Sequence, residues 1–345
     1  MSDSEVDESK LPSTAECEER CQEFAAITGT DTALAMFYLQ DRDWSLDRAL
    51  NSYFEESGAS HSSDVVDTAE VTSNNNSSGS TTPGDPSFRI RLMSWNIDGL
   101  DKRNLRSRTL GVCDTILKED PHVVYLQEVV PESEEIIQEK CPMYHMIPAN
   151  DEEYYCAMLL KTGHIQVEET KILLFPNTKM LRNLLAVKCT VKGEKMSLMT
   201  SHLESTKDYG NERKQQLQQC LKYMQKREDD RTVVFGGDLN LRDKELAEIG
   251  GLPDGITDIW EKTGKRPEAK FTWDMQRNDN LEWSHQFKPK CRFDRLYLRN
   301  SKPEVIQPVY FELIGIERLK SCQRFCSDHW GLLTHLSILS KLPKV

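Results

Sequence analysis

The sequence predicts an α/β layered domain preceded by a small helical module, and three observations carry that expectation. From residue 87 onward, short apolar runs alternate with helical stretches, the pattern of strands and helices packed in layers. Acidic and histidine-containing clusters stand at the ends of those runs, at Asn96, Glu128, His202, Asp238 and His329. Residues 58–86 are rich in Ser, Thr, Asn, Asp and Gly with almost no apolar content, so they cannot bury enough surface to offset chain entropy and read as a disordered tether between two folded parts.

The first of those parts spans residues 13–56. Ser13 and Glu16 form a capping-box signature, and Cys17, Cys21, Phe24 and Ala25 share one face of the helix that follows. A second short helix is expected over residues 31–39. A third starts at Ser45 and places Leu46, Ala49, Leu50, Tyr53 and Phe54 inward. The tether covers residues 57–86, and the large domain covers residues 87–345. Within it, strands are expected at residues 90–95, 123–126, 196–199 and 232–235, and helices at 105–117, 132–139 and 211–227.

Composition bounds what such a chain does. With 345 residues, of which 38% are hydrophobic, it has material for a sizeable core. No apolar stretch is long enough to span a bilayer, which argues against a membrane partner, and the acidic, polar first ten residues are neither a secretory signal nor an Arg-rich transit peptide. The ten cysteines include no CxxC pair and read as reduced thiols of an intracellular protein; Cys322 and Cys326 lack a matching ligand pair. The net charge of −12 is unevenly spread: residues 1–86 hold 4 Lys and Arg against 18 Asp and Glu, leaving 40 against 38 for the body. A near-neutral body has room for a basic groove that takes a polyanion.

The clusters make chemical sense one by one. Glu128 follows Val123-Val124-Tyr125-Leu126-Gln127, and a carboxylate at a strand end is a hard ligand for Mg²⁺, which takes one or two carboxylates plus waters and substrate phosphate. A solvated surface glutamate is the other reading. Asp238 and Asn240 lie two apart, so on an extended backbone both project to one side. There the aspartate accepts a proton from water while the asparagine holds the attacking oxygen or donates to phosphate. Gly236-Gly237-Asp238 is also ordinary turn composition. His329 follows Asp328, and neighbours in an extended segment face opposite ways. Asn96 supplies a neutral donor to phosphate or to Glu128. Trp273, Leu281 and Phe293 offer an apolar wall for a terminal base, with core packing the alternative for Phe293, and stacking of this kind is worth about 1–3 kcal/mol per base. Arg242 offers a clamp for a phosphate or an aryl leaving group.

The phrases Met93-Ser94-Trp95-Asn96, Leu126-Gln127-Glu128, Ser201-His202-Leu203-Glu204-Ser205, Gly237-Asp238-Leu239-Asn240 and Ser327-Asp328-His329, in that order, resemble the endonuclease/exonuclease/phosphatase superfamily. Phe271-Thr272-Trp273-Asp274 and Cys291-Arg292-Phe293-Asp294-Arg295 are similar to its branch that hydrolyses 5′-tyrosyl-DNA. The resemblance implies a four-layer α/β sandwich of two packed mixed β-sheets, as in deoxyribonuclease I. It also implies a Mg²⁺ cofactor with Mn²⁺ as a substitute, Asp328 helping Glu128 at the metal, His202 and His329 on the phosphate, Ser205 as a support and Asp294 orienting the His329 imidazole. The implied substrate is a DNA 5′ end carrying a tyrosyl or peptide adduct left by topoisomerase II, and the implied residence is the nucleus. Inositol phosphatases, apurinic endonucleases and deadenylases share the metal and water machinery and stand as rival readings. In residues 13–56, the Thr28-Gly29-Thr30 turn and the stretch at residues 43–51 resemble a ubiquitin-associated (UBA-like) domain, which implies ubiquitin as a partner. An inert adaptor built on that domain is the non-enzymatic alternative.

Overall fold

Side-chain alternation decides how the strands stack. In β1 (Arg89–Asn96), Ile90 and Leu92 enter one buried cluster while Met93 and Trp95 enter another, the two-residue period of a strand covered on both faces. The computed structural model describes residues 13–28, 32–40, 44–46, 49, 88–150, 153–282 and 288–339. The chain divides into an N-terminal helical unit and a larger unit.

The N-terminal unit contains α1 (Thr14–Thr28) and α2 (Thr32–Gln40). The expected capping box is present: the Ser13 N–H and hydroxyl both donate to Glu16 Oε2 at 2.8 Å. Cys21, Phe24, Ala35, Tyr38, Leu39 and Ala49 are buried together, with the Phe24 and Tyr38 rings stacked 5.5 Å apart. The rest of the expected third helix, with Leu50, Tyr53 and Phe54, and the tether at 57–86 lie outside the described residues.

In the larger unit, β2 (Val123–Val129), β3 (Tyr144–Pro148), β4 (Tyr155–Lys161), β13 (Ile306–Ile314) and β14 (Gly331–Ile338) join β1 in one six-stranded sheet, ordered β13-β14-β1-β2-β4-β3. The second sheet is ordered β5-β6-β7-β8-β12-β9, from β5 (Ile165–Leu174), β6 (Asn183–Val191), β7 (Glu194–Ser201), β8 (Thr232–Asp238), β12 (Asp294–Arg299) and β9 (Ile256–Asp258). Both are mixed: β1 runs parallel to β2, and β7 to β8, among antiparallel neighbours. Leu92, Val123 and Met158 of the first sheet meet Val187, Leu198, Val234 and Leu296 of the second in a shared core. On the outer face of the first sheet, Met93, Trp95 and Leu126 pack with Val112 and Ile116 of α3 (Leu105–Glu119) and Ile136 of α4 (Pro131–Lys140). Outside the second, Met199, Val233 and Phe235 pack with Leu217, Leu221 and Met224 of α5 (Gly210–Gln225). The four layers are helix, sheet, sheet and helix. No helix among the described residues is long and apolar enough to cross a membrane.

Strand direction then sets the rim. The C-terminal ends of β1, β2, β7 and β8, the start of β12 and the approach to β14 lie at one edge of the sandwich. Asn96 pairs with Gln127, Thr200 with Gly236, and Asp294 with Asp238. A two-stranded ribbon, β10 (Trp273–Asp274) with β11 (Lys290–Cys291), adds a bridge from Trp273 to His329.

Candidate active site

Asp238, almost fully buried at the end of β8, is the centre of the rim. Its Oδ2 accepts the Asn96 carboxamide N–H at 2.9 Å and lies 3.2 Å from His202 Nε2, while its Oδ1 accepts the Asn240 backbone N–H at 2.9 Å. A carboxylate offers about four lone-pair sites, so one remains for a water. Burial disfavours the Asp238 anion, but the facing imidazoles of His329 and His202 prevail and hold its carboxyl well below the usual range.

The expected extended 238–240 segment is corrected. β8 stops at Asp238, and Asn240 is left-handed at φ 49°, so the aspartate side chain caps a turn through the Asn240 N–H. The bend joins the Asn240 backbone, not its carboxamide, to the carboxylate. The Asn240 Nδ2 donates to Leu203 O at 3.3 Å, which leaves the carboxamide oxygen as its acceptor.

His329 stands between two carboxylates. Its Nδ1 is 2.8 Å from Asp294 Oδ2, and its Nε2 is 3.7 Å from Asp238 Oδ2. Burial works against the imidazolium, yet Asp294 and Asp238 raise its pKa well above the ordinary value, so both nitrogens carry protons. The Nε2–H, too far from Asp238 for a hydrogen bond, is available to a phosphate oxygen. Asp294 is itself fixed by Thr272, whose hydroxyl donates to Oδ2 at 2.5 Å and accepts the N–H groups of Phe293 and Asp294. The His329 backbone is pinned by Ser327 Oγ at 3.0 Å and by Trp95 Nε1 on its carbonyl at 3.0 Å.

On the β1 and β2 side the rim is acidic. Glu128 is left-handed at φ 56° and receives Asn96 Nδ2 on Oε1 at 3.3 Å. Asn96 Oδ1 accepts the Asp98 N–H at 3.0 Å, so the whole carboxamide is committed to orienting Asp98, Glu128 and Asp238. Burial, then Asp328, then Glu128 push the Asp98 carboxyl up to about 8, with Arg108, 3.3 Å away, the opposing charge. Carboxylates crowded this way with one guanidinium fit a divalent cation. Asp238, Asp294 and His329 also bring potential ligand atoms within 4.8 Å of one another, but Asp294 Oδ2 is already engaged by His329 Nδ1 and the Thr272 hydroxyl, and Asp238 by Asn96, His202 and Asn240. The Glu128 side, with Asp98 and Asp328, is therefore the better seat for a metal.

Asp328, Trp273, Phe293 and Arg242 join this centre. Asp328 accepts Trp273 Nε1 at 3.1 Å. The rings of Trp273 and Phe293 are 5.6 Å apart, and the Arg242 guanidinium sits 5.5 Å over Phe293. All three are partly exposed, so they form a continuous wall at the surface. Leu281 is exposed just before residues 283–287, outside the described set. The Ser205 hydroxyl contacts Met180 Sδ at 3.1 Å, and the partner at His202 Nδ1 is instead Arg182, at 2.8 Å.

Residues 93–329 match the model of the Endonuclease/Exonuclease/phosphatase family, and residues 18–60 match that of the UBA-like domain. The chain is 40% identical over 336 residues to tyrosyl-DNA phosphodiesterase 2 of Homo sapiens, an alignment covering 92% of each. The chain belongs to the tyrosyl-DNA phosphodiesterase 2 family. Among solved structures, Danio rerio TDP2 complexed with single-strand DNA product superposes with a TM-score of 0.70 at 39% identity, covering 72% of this chain and 99% of that one. TDP2 from Caenorhabditis elegans gives 0.67 at 33%, covering 98% of both.

In this member of the tyrosyl-DNA phosphodiesterase 2 family the structure adds Asp98, Arg182 and Thr272 to the rim. Thr272 lies inside the Phe271-Thr272-Trp273-Asp274 phrase, where a lone hydroxyl gives no sign of the distant carboxylate that it holds. Asp98 sits two residues beyond Asn96, where an Asx turn brings it back. Arg182 lies on a connection with no apolar period or motif around it, and only the fold places it on His202.

Proposed function

We propose that the chain is a Mg²⁺-dependent 5′-tyrosyl-DNA phosphodiesterase, which cleaves the bond between a topoisomerase II-type tyrosine and a DNA 5′ end in the nucleus. The observation that carries this reading is the line Asp294, His329, Asp238, with its distances of 2.8 and 3.7 Å, on the rim that also holds Asn96 and Glu128. Family membership supports the substrate, as does a relative caught with single-strand DNA product. Glu128 and Asp328 are the residues that would hold Mg²⁺, which when bound neutralises phosphate charge. Asp238, kept ionised, takes the proton of a water on its remaining lone-pair site, and the Asn240 carboxamide oxygen orients that water. His329 donates Nε2–H to the phosphate as negative charge builds there. His202, with Nε2–H on Asp238, holds the base in place. Trp273 and Phe293 seat the terminal base, exposed Leu281 is a further apolar contact for the substrate, and Arg242 stands where a phosphate or aryl group passes. The products are DNA ending in 5′-phosphate and free tyrosine or a peptide.

Hydrolysis of a synthetic 5′-phosphotyrosyl oligonucleotide, with and without Mg²⁺, tests the reading directly. Asp238→Asn and His329→Ala are each expected to lower kcat by about 10²-fold or more, the scale for losing a positioned base or an oxyanion donor. Near-wild-type turnover at saturating metal and substrate removes that residue from the mechanism. The UBA-like unit is proposed to bind ubiquitin through one face of its small bundle, hence weakly. Saturable NMR shifts on titrating ubiquitin are the expected result, and their absence limits the unit to another role.

A further inference from the structure

One fully buried carboxylate near the rim takes no part in the chemistry above. Glu204, two residues after His202, is 0% exposed. A single oxygen, Oε1, accepts the Thr178 hydroxyl at 2.8 Å, the Lys179 N–H, and the Met180 N–H at 3.2 Å. All three donors belong to the connection between β5 and β6. The Thr178 hydroxyl in turn accepts the Arg182 backbone N–H at 2.8 Å, and Arg182 Nη1 reaches His202 Nδ1 at 2.8 Å.

Glu204 is anchored from behind. Its N–H donates to Gln216 Oε1 at 2.9 Å, and its carbonyl accepts Arg213 Nη1 at 2.7 Å. Both partners are fully buried residues of α5, so the carboxylate stands on a rigid element and the connection hangs from it. Burying a polar group is costly unless hydrogen bonds compensate, and here the side-chain bonds all fall on Oε1 and come from one loop, while Oε2 has no hydrogen-bond partner among the described residues.

We propose that Glu204 is a positioning residue. It clasps the 178–182 segment so that Arg182 meets His202, and through His202 it sets the orientation of Asp238. The relay runs from Glu204 to Thr178, to Arg182, to His202 Nδ1, and from His202 Nε2 to Asp238. A guanidinium only donates, so His202 Nδ1 accepts and the ring proton sits on Nε2, facing Asp238. A misplaced Arg182 releases that tautomer and leaves Asp238 less well held.

The inference rests on the phosphodiesterase reading, and a double-mutant cycle separates the two. kcat and KM on the 5′-phosphotyrosyl oligonucleotide are measured for wild type, Glu204→Ala, Arg182→Ala and the double variant, with thermal unfolding of each. The expected result is that Glu204→Ala lowers kcat by about tenfold with KM changed by less than about threefold, and adds nothing further in the Arg182→Ala background, the non-additivity of residues acting through one network. Losses that multiply in the double variant, or a Glu204→Ala enzyme with wild-type kcat, overturn the clasp. Thr178→Val removes only the hydroxyl at the joint and carries the same cycle if Glu204→Ala does not fold. An inactive wild type overturns the phosphodiesterase reading instead.

Discussion

His329 and His202 face the same carboxylate with different partners behind them. The Arg182 guanidinium lies on His202 Nδ1, while a carboxylate stands beyond each nitrogen of His329. Since the His329 pKa is raised above its ordinary 6.5, its ion pairs stabilise the fold fully below that value and are lost as pH rises through the raised one. The Asp238 pKa is lowered from 3.8, so its pairs are complete above that value and are lost as pH falls through the lowered one. The two windows overlap across neutral pH, where the donor and the base coexist. Replacing Asp294 by Asn removes the nearest anion and lets burial dominate. The alkaline limb of kcat/KM against pH is therefore expected to move to lower pH in Asp294→Asn. An unmoved limb means that another group sets it.

Single strand ends, more than whole strands, make the site. Gly237, one residue before Asp238, has φ 138°, and a Cβ there would meet the Ser201 carbonyl oxygen of β7 at 2.1 Å. That neighbour is backbone in a parallel pair and gives way only by shifting the strand. Gly237→Ala is expected to destabilise the protein by about 2–4 kcal/mol through overpacking and backbone strain, read as a lower Tm, with kcat falling as the rim opens. A wild-type Tm would show that β8 and β7 separate at little cost. The same element explains what was legible beforehand. β1, β2, β7 and β8 are buried over most of their length, so they appear as predominantly apolar runs closed by polar clusters. β5 is exposed at almost every position and carries no such run. The rim residues Asp98, Glu128 and Asn240 are all left-handed, a conformation that non-glycine residues seldom adopt. Extended-chain reasoning at Asp238 and Asn240 therefore misses the bend that the chain makes between them. Arg182, the partner of His202, and Thr272, the partner of Asp294, come from connections whose positions depend on the finished sandwich.

At the scale of the molecule, the sandwich brings an acidic edge, a buried carboxylate and an aromatic wall to one rim, and that combination bears on which phosphodiester is cut. Superfamily relatives that expel a sugar or inositol alkoxide need strong acid assistance at the leaving oxygen. A tyrosine phenol has an unperturbed pKa of about 10 and departs with far less help. Here His329 Nε2 lies 3.7 Å from Asp238, where the proposed mechanism gives it to the phosphate, and among the described rim residues Arg242, over Phe293, is a cation suited to an aryl oxygen or ring. The wall of Trp273 and Phe293 favours a strand end with an unstacked base over the interior of a duplex. Efficient cleavage of a 5′-tyrosyl end and poor cleavage at an internal abasic site are expected together. The comparison is made as kcat/KM on both substrates at one salt concentration, because phosphate contacts weaken steeply with salt. Equal or greater efficiency at the abasic site would sink the tyrosyl-DNA reading and leave the four-layer fold untouched, since the sheets fix the rim whichever leaving group it serves.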